Sequence, residues 1–319
     1  MLLLIAAGAV ALLAGLRLYT VWQVRTFETR YPPPGRFLSV NGILVHYVEK
    51  GEGRPVVLIH GGLGSVYDFT LSVFDQVSRE YRAVAIDRPG HGYSQRPAGV
   101  AYMSPADHAR YVRGALQALK IERPILVGYS WGAAVALAYA LEYPDETAGL
   151  VLLSPLAYAT ESRWPSRFVL PGLPLVGPLF MSVAYTPVVH LTGGRMMQGV
   201  FWPDPVPPRF NEVALALTSR PAEYEIEAAD SLRLGGHLKE MAERYGEIRV
   251  PTVIVAGDLD QRTPAAAHAL PLHQAMPHSA LVIVPNAGHA LHFAHPDVLL
   301  DAISNVAAQA AANELAGRR

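Results

Sequence analysis

The 319-residue sequence contains no cysteine. That excludes a disulfide framework, a thiolate nucleophile and every cysteine-based zinc or iron–sulfur site. It leaves the compartment open, because a cysteine-free chain is tolerated on either side of a membrane. Charge is scarce too. Only 17% of residues are Asp, Glu, Lys or Arg, and 26 basic against 27 acidic side chains leave a formal net charge of −1. A nucleic-acid binder needs a basic face, so no nucleic-acid partner is expected. There is no repeat at a solenoid period and no low-complexity tract beyond one proline cluster. What is plentiful is apolar surface: 51% of residues are hydrophobic and mean hydropathy is +0.20. The length is ample for a self-supporting core and allows one large domain or two ordinary ones.

Part of the apolar excess is local. Leu2 to Leu16 carries no charge, Arg17 interrupts, and Leu18 to Val24 continues in a mixed apolar manner. As helix, the first run is roughly 22 Å long, short of a bilayer's hydrocarbon core of about 30 Å; extended to Val24 it reaches roughly 34 Å. Arg17 then sits off-centre and can snorkel, with Tyr19 and Trp22 where an interfacial aromatic belt falls. A cleaved signal peptide is weakened by an n-region without Lys or Arg and by the lack of an A-x-A site. A core helix would be amphipathic rather than apolar all round. A single uncleaved anchor over residues 1–24 fits best, with the lipid bilayer as partner. Arg17, Arg25 and Arg30 all follow the apolar run, which favours a cytoplasmic catalytic domain; a signal leading to the periplasm or exterior is the alternative. Residues 25–36, ending in Tyr31-Pro32-Pro33-Pro34-Gly35, read as a stiff extended linker.

From Phe37 the signals are those of a globular domain. Phe37 to Val40 and Ile43 to Glu49 flank Asn41-Gly42, a hairpin signal. Pro55 to Ile59 is a continuous apolar run, as for a strand buried on both faces. Similar runs recur at Ala83 to Ile86, Ile125 to Val127, Leu150 to Leu153, Thr252 to Ala256 and Leu281 to Val284. Helical segments alternate with them: Tyr67 to Ser78, Pro105 to Leu119, Trp131 to Glu142, Pro264 to Ala275 and Pro296 to Ala312. The class is therefore α/β with a mostly parallel sheet. From Pro155 to about Arg249 no strand is apparent. A structureless loop of that length is unusual, so residues 155–249 read as a largely helical cap between two core parts, 37–154 and 250–319.

Gly128-Tyr129-Ser130-Trp131-Gly132 is a G-x-S-x-G pattern between an apolar strand and an Ala-rich helix. Such a turn strains the central residue, lifts its hydroxyl clear of the sheet and points a helix N-terminus at it. Serine needs a base to be nucleophilic. His289, in the loop after the last strand, is the candidate; His292 and His295 read as ordinary residues. The His289-x-x-His292-x-x-His295 spacing is not the i, i+4 pairing of a helical zinc site, and no matching carboxylate accompanies it, so neither metal nor cofactor is expected. The imidazole needs a carboxylate to orient it. Asp258 and Asp260 compete after the Thr252 to Ala256 strand. Asp258 directly follows the turn glycine and shapes the loop; Asp260 sits further out and reaches across to His289. His60-Gly61-Gly62-Leu63-Gly64 follows the Pro55 to Ile59 strand and suits an oxyanion hole. Its donors are the backbone N–H of Gly62 (or Leu63) and of Trp131, with His60 ordering the loop.

The chain order Ser130, Asp260, His289, together with the His60 loop and Asp87-Arg88-Pro89-Gly90-His91-Gly92-Tyr93-Ser94, resembles the α/β-hydrolase superfamily over about Phe37 to Ala312. The resemblance implies an eight-stranded, mostly parallel sheet with a cap after the sixth strand. It implies that the Asp87 to Ser94 turn shapes the pocket floor without catalysis. Epoxide hydrolases and haloalkane dehalogenases are similar in layout but carry Asp at the elbow, so Ser130 points to acyl transfer.

The apolar stretch Phe168 to Ala184 within the cap favours a small-molecule carboxylic ester with a hydrophobic acyl group. That stretch packs on the core, lines an acyl pocket or dips into the membrane beside the anchor. Three rivals share the machinery: a hydrolase of carbon–carbon bonds in vinylogous diketones, a cofactor-free perhydrolase, and a non-enzymatic pseudohydrolase. An intact set of four catalytic parts argues against the last. Oligomeric state is not specified by any of these features.

Overall fold

The computed structural model describes residues 1–160 and 169–316; Phe168, at the edge of the apolar cap stretch, lies outside them. Among the described residues eight strands form one sheet. They are β1 (Arg36–Val40), β2 (Ile43–Lys50), β3 (Pro55–Ile59), β4 (Arg82–Ile86), β5 (Ile125–Tyr129), β6 (Gly149–Leu153), β7 (Thr252–Gly257) and β8 (Ala280–Val284). The order is β1-β2-β4-β3-β5-β6-β7-β8. β1, β2 and β4 pair antiparallel, and the other neighbours are parallel. Asn41 and Gly42 close the first hairpin with φ of 47° and 86°, the left-handed pair that a two-residue turn demands.

Helices cover both faces. α4 (Pro105–Ala118), α5 (Trp131–Glu142) and α10 (Ala269–Ala275) build one core layer. α2 (Tyr67–Thr70), α3 (Phe74–Val77) and α12 (Pro296–Ala316) build the other. β3, β5, β6 and β7 are buried throughout apart from the first residue of β3, which explains why they read as unbroken apolar runs. Between β6 and β7 the chain forms α6 (Val176–Val183), α7 (Tyr185–Phe201), α8 (Pro208–Thr218) and α9 (Pro221–Ala242). A short α11 (Leu291–Ala294) follows β8. The strand order reverses at β3, with β4 on one side and β5 on the other. The loops leaving β3 and β5 therefore diverge and open a crevice at their C-terminal ends.

Three elements differ from the sequence reading. α1 runs Leu2–Arg30, so residues 25–30 are helical rather than extended. No Gly or Pro interrupts them. Phe27 stacks edge-on against His190 of α7, and Arg30 pairs with Glu212 of α8 at 3.5 Å. The helix stops only where Tyr31 precedes Pro32, a position that disfavours helical backbone. The segment Tyr67 to Ser78 is two single turns rather than one helix. Ser72 Oγ bonds back to the carbonyls of Asp68 and Phe69 at the break, competing with the helical ladder. After Pro264 the chain makes turns and becomes helical only at Ala269.

Candidate active site

β5 ends at Tyr129 and α5 begins at Trp131, so Ser130 alone makes the turn. Its φ of 53° and ψ of −114° are a strained combination for a non-glycine residue. Neighbours hold it there: Ser130 N–H donates to Leu153 O at 2.9 Å, and its carbonyl accepts from Leu156 N–H at 3.1 Å. A Cβ on Gly132 would lie 2.2 Å from Ile59 O, and one on Gly128 2.6 Å from the Ala133 Cα. Both glycines are thus required by close backbone approach. The Ser130 hydroxyl makes no capping bond to α5.

The loop after β8 brings His289 over the turn. Its Nε2 is 3.0 Å from Ser130 Oγ, and its Nδ1 is 2.8 Å from Asp260 Oδ2. Asp260 Oδ1 accepts from the N–H groups of Arg262 at 2.7 Å and Thr263 at 3.0 Å. Burial raises the pKa of this carboxyl, but the His289 ring and those bonds outweigh it and hold it at about 2. Asp258 is exposed and accepts from Ala287 N–H at 3.3 Å. It supports the loop bearing His289, while Asp260 meets the ring. Two supports had no visible sign in the sequence. Thr263 Oγ1 sits 2.9 Å from both Asp260 Oδ2 and Ser154 O, and Ser154 Oγ donates to His289 O at 2.9 Å.

The glycine loop after β3 faces the same point. His60 accepts Arg88 N–H at Nε2 (2.9 Å), which leaves Nδ1–H for Gly61 O (2.9 Å). Burial and the adjacent Arg88 charge push its pKa well below the ordinary value, so the ring orders the loop as a neutral group. Leu63 N–H is engaged by Glu227 Oε2 at 3.4 Å. Gly62 N–H and Trp131 N–H have no hydrogen-bond acceptor among the described residues. Of the two candidate donors in the loop, Gly62 is therefore the available one.

Glu227 belongs to a buried stripe that the sequence reading missed. Glu223, Glu227 and Asp230 lie at i, i+4 and i+7 on α9, so they share one face, and that face is turned to the core. Glu227 meets His91 Nε2 at 2.9 Å, Arg88 at 3.3 Å and Ser231 Oγ at 2.7 Å. Burial works against its charge, but His91 and Arg88 bring its pKa down to about 2. Asp230 takes two bonds from Arg96 (2.6 and 2.9 Å) and one from Met103 N–H at 2.6 Å. Glu223 pairs with Arg220. Arg88 also lies 4.3 Å over the ring of Trp131. The spacing of the three acids was the only local signal, and on a helix it reads equally as a solvated face.

One cavity opens at this site and a second lies beside it. The first, about 100 Å³ and partly open to solvent, is lined by Ser130 and His289 with Leu156, Leu234 and Leu238. The other, about 80 Å³, lies beneath α7 and α8 and is lined by Gly62, Met197, Phe201, Phe210 and Phe293. Arg262 borders both and donates to Met196 O of α7 at 3.2 Å. His292, at the second cavity, is packed between Tyr129 and Phe69 rather than at the surface, and burial lowers its pKa to about 3.

The sequence profile of the alpha/beta hydrolase fold matches residues 54–296. The chain belongs to that family, and it is a hydrolase. It is 29% identical to the 2-hydroxymuconate semialdehyde hydrolase of Pseudomonas putida, over 88% of this chain and 96% of that protein. Among solved structures it is similar in fold to a meta-cleavage product hydrolase from Pseudomonas fluorescens (TM-score 0.62, 22% identity, 83% of this chain and 94% of that one). It is likewise similar to a thermophilic esterase from Thermogutta terrifontis (TM-score 0.67, 21% identity, 86% and 99%).

Proposed function

We propose that the protein is a serine hydrolase that cleaves a carboxylic ester with an apolar acyl group. Ser130 is the nucleophile, His289 the base and Asp260 its orienting acid. The observation that carries the reading is the pair of contacts at His289, 3.0 Å to Ser130 Oγ and 2.8 Å to Asp260. Ser130 Oγ attacks the carbonyl carbon as its proton passes to His289 Nε2. The carbonyl oxygen becomes an oxyanion against the N–H groups of Gly62 and Trp131. The ester C–O bond breaks as His289 returns the proton to the leaving oxygen. Water then attacks the acyl-enzyme, gives its proton to Nε2, and Ser130 departs with that proton. The apolar linings of both cavities support a hydrophobic substrate, and no cofactor is called for.

Residues 155–249 act as a cap over this site. Residues 1–24 anchor the chain in a bilayer. α1 supports that role by length and composition, with mean hydropathy 2.1 over its most apolar window. Arg17, Arg25 and Arg30 favour a cytoplasmic catalytic domain.

A second reading has a specific basis. The P. putida and P. fluorescens relatives are named as hydrolases of 2-hydroxymuconate semialdehyde and of meta-cleavage products. The same three side chains would then serve carbon–carbon bond hydrolysis. A fluorophosphonate probe should label the protein and spare Ser130→Ala; folded protein that resists labelling overturns both readings. An acyl-chain series of nitrophenyl esters run beside a vinylogous diketone separates them. Turnover of the diketone alone rejects the ester.

A further inference from the structure

The cap exposes large apolar side chains close to α1. Leu175 is 88% exposed and Leu191 84%, with Val176 and Leu179 about half exposed. α6 has no charged residue, and α7 has Arg195 alone. A helix facing water on one side carries polar residues there. α7 follows that rule only in part: Met197 and Phe201 face the cavity, Thr192, Arg195 and Gln198 are exposed toward its C-terminal half, and Val188 and Leu191 are the exposed apolar residues nearer α6.

α1 packs on the same helices. Tyr19 Oη lies 2.8 Å from His190 Nδ1 of α7, and Thr20 is buried. From Met1 to Gly15 every residue is exposed. That free length is roughly 22 Å of helix, and crossing the hydrocarbon takes about 20 residues. A spanning α1 must therefore place residues as far as Thr20 inside the membrane. Tyr19 and Thr20 are already docked on the cap.

We infer that the outer face of α6 and α7, around Leu175, Val176, Leu179 and Leu191, is seated in the lipid leaflet from which α1 emerges. The inference rests on the reading of α1 as an anchor. Lipid on that face is one helix width, about 10 Å, from the cavity beneath α7. The substrate class it implies is an ester dissolved in the bilayer.

The absence of cysteine makes the test direct. Full-length Leu175→Cys, Leu191→Cys, Leu12→Cys and Gln117→Cys are each labelled with bimane and reconstituted in phosphatidylcholine–phosphatidylglycerol vesicles containing doxyl lipids. Gln117 is exposed near the end of α4, where the Leu119 carbonyl accepts from Arg82 at the start of β4, the end of the sheet opposite the loops of the site. Leu175 and Leu191 labels should lose at least half as much emission as the Leu12 label, and the Gln117 label should be unaffected. Quenching at Leu12 with Leu175 and Leu191 at the Gln117 level overturns the docking surface and keeps the anchor. No quenching at Leu12 overturns the anchor and the inference with it. Shielding of Leu175 and Leu191 by a second copy, seen as disulfide dimers of the unlabelled cysteine variants together with no lipid quenching of the labelled ones, also overturns it. None of these readouts depends on hydrolysis.

Discussion

Asp68→Asn tests how the protein supports its glycine-rich loop. Asp68 is 5% exposed, and its Oδ2 accepts Gly61 N–H at 3.3 Å. Burial raises its pKa from an ordinary 3.8 to about 7, against the opposing bonds from Gly61 and Ser65. Below pH 3.8 both folded and unfolded chains hold the proton. Between pH 3.8 and about 7 the unfolded chain ionises and the folded one does not. Folding stability therefore falls by roughly 1.4 kcal/mol per pH unit, about 4 kcal/mol in all, and the loss persists at higher pH. Asparagine keeps an acceptor for Gly61 and cannot ionise. The variant should gain about 4 kcal/mol on the natural protein between pH 4 and pH 8. At about 1.5 °C per kcal/mol for a chain of this size, that is a relative rise in Tm of roughly 6 °C. Thermal unfolding of the micelle-solubilised full chain, followed by tryptophan fluorescence across a pH series, measures it. A difference between the two proteins that is the same at pH 4 and pH 8 would refute the buried, proton-holding carboxyl.

Glu227 predicts the opposite slope. Its pKa is depressed from 4.5 to about 2, so its contribution of about 3 kcal/mol is present above pH 4.5 and lost as pH falls toward 2. Glu227→Gln should lower stability at pH 7 by that amount and converge with the natural protein near pH 2, read from the same pH series. Asp260→Asn should lower kcat on the order of 10⁴-fold while leaving KM within a few-fold, because it disturbs the tautomer of His289 rather than substrate contacts. Steady-state ester hydrolysis checks this, and an unchanged kcat would remove Asp260 from its proposed role.

Much of this was legible because it is local. Each parallel strand is buried on both faces, so its apolar run stands out from neighbours. The residues brought together at His289 lie at the ends of such runs, and their order along the chain is informative in itself. The missing parts depend on distant partners. Thr263 and Ser154 matter because β6 and β7 are neighbours in the sheet. α1 continues past Val24 because His190 and Glu212, far along the chain, receive it. The acids of α9 look solvated until Arg88, His91 and Arg96 are seen to meet them.

That acidic stripe makes the two walls of the site mechanically unequal. Lifting α9 would strand Glu227 and Asp230 away from Arg88 and Arg96, and breaking a single buried pair of this kind costs about 3–5 kcal/mol. α7, by contrast, meets the core through apolar contacts around Phe201 and Phe293 and through Arg262. The wall carrying Leu234 and Leu238 is thus a fixed gauge, which would select the group lying against it by shape. The wall carrying Met196 and Met197 is an adjustable jaw, because methionine repacks at little cost. A substrate held between such a pair would meet strict dimensions against α9 and find latitude against α7.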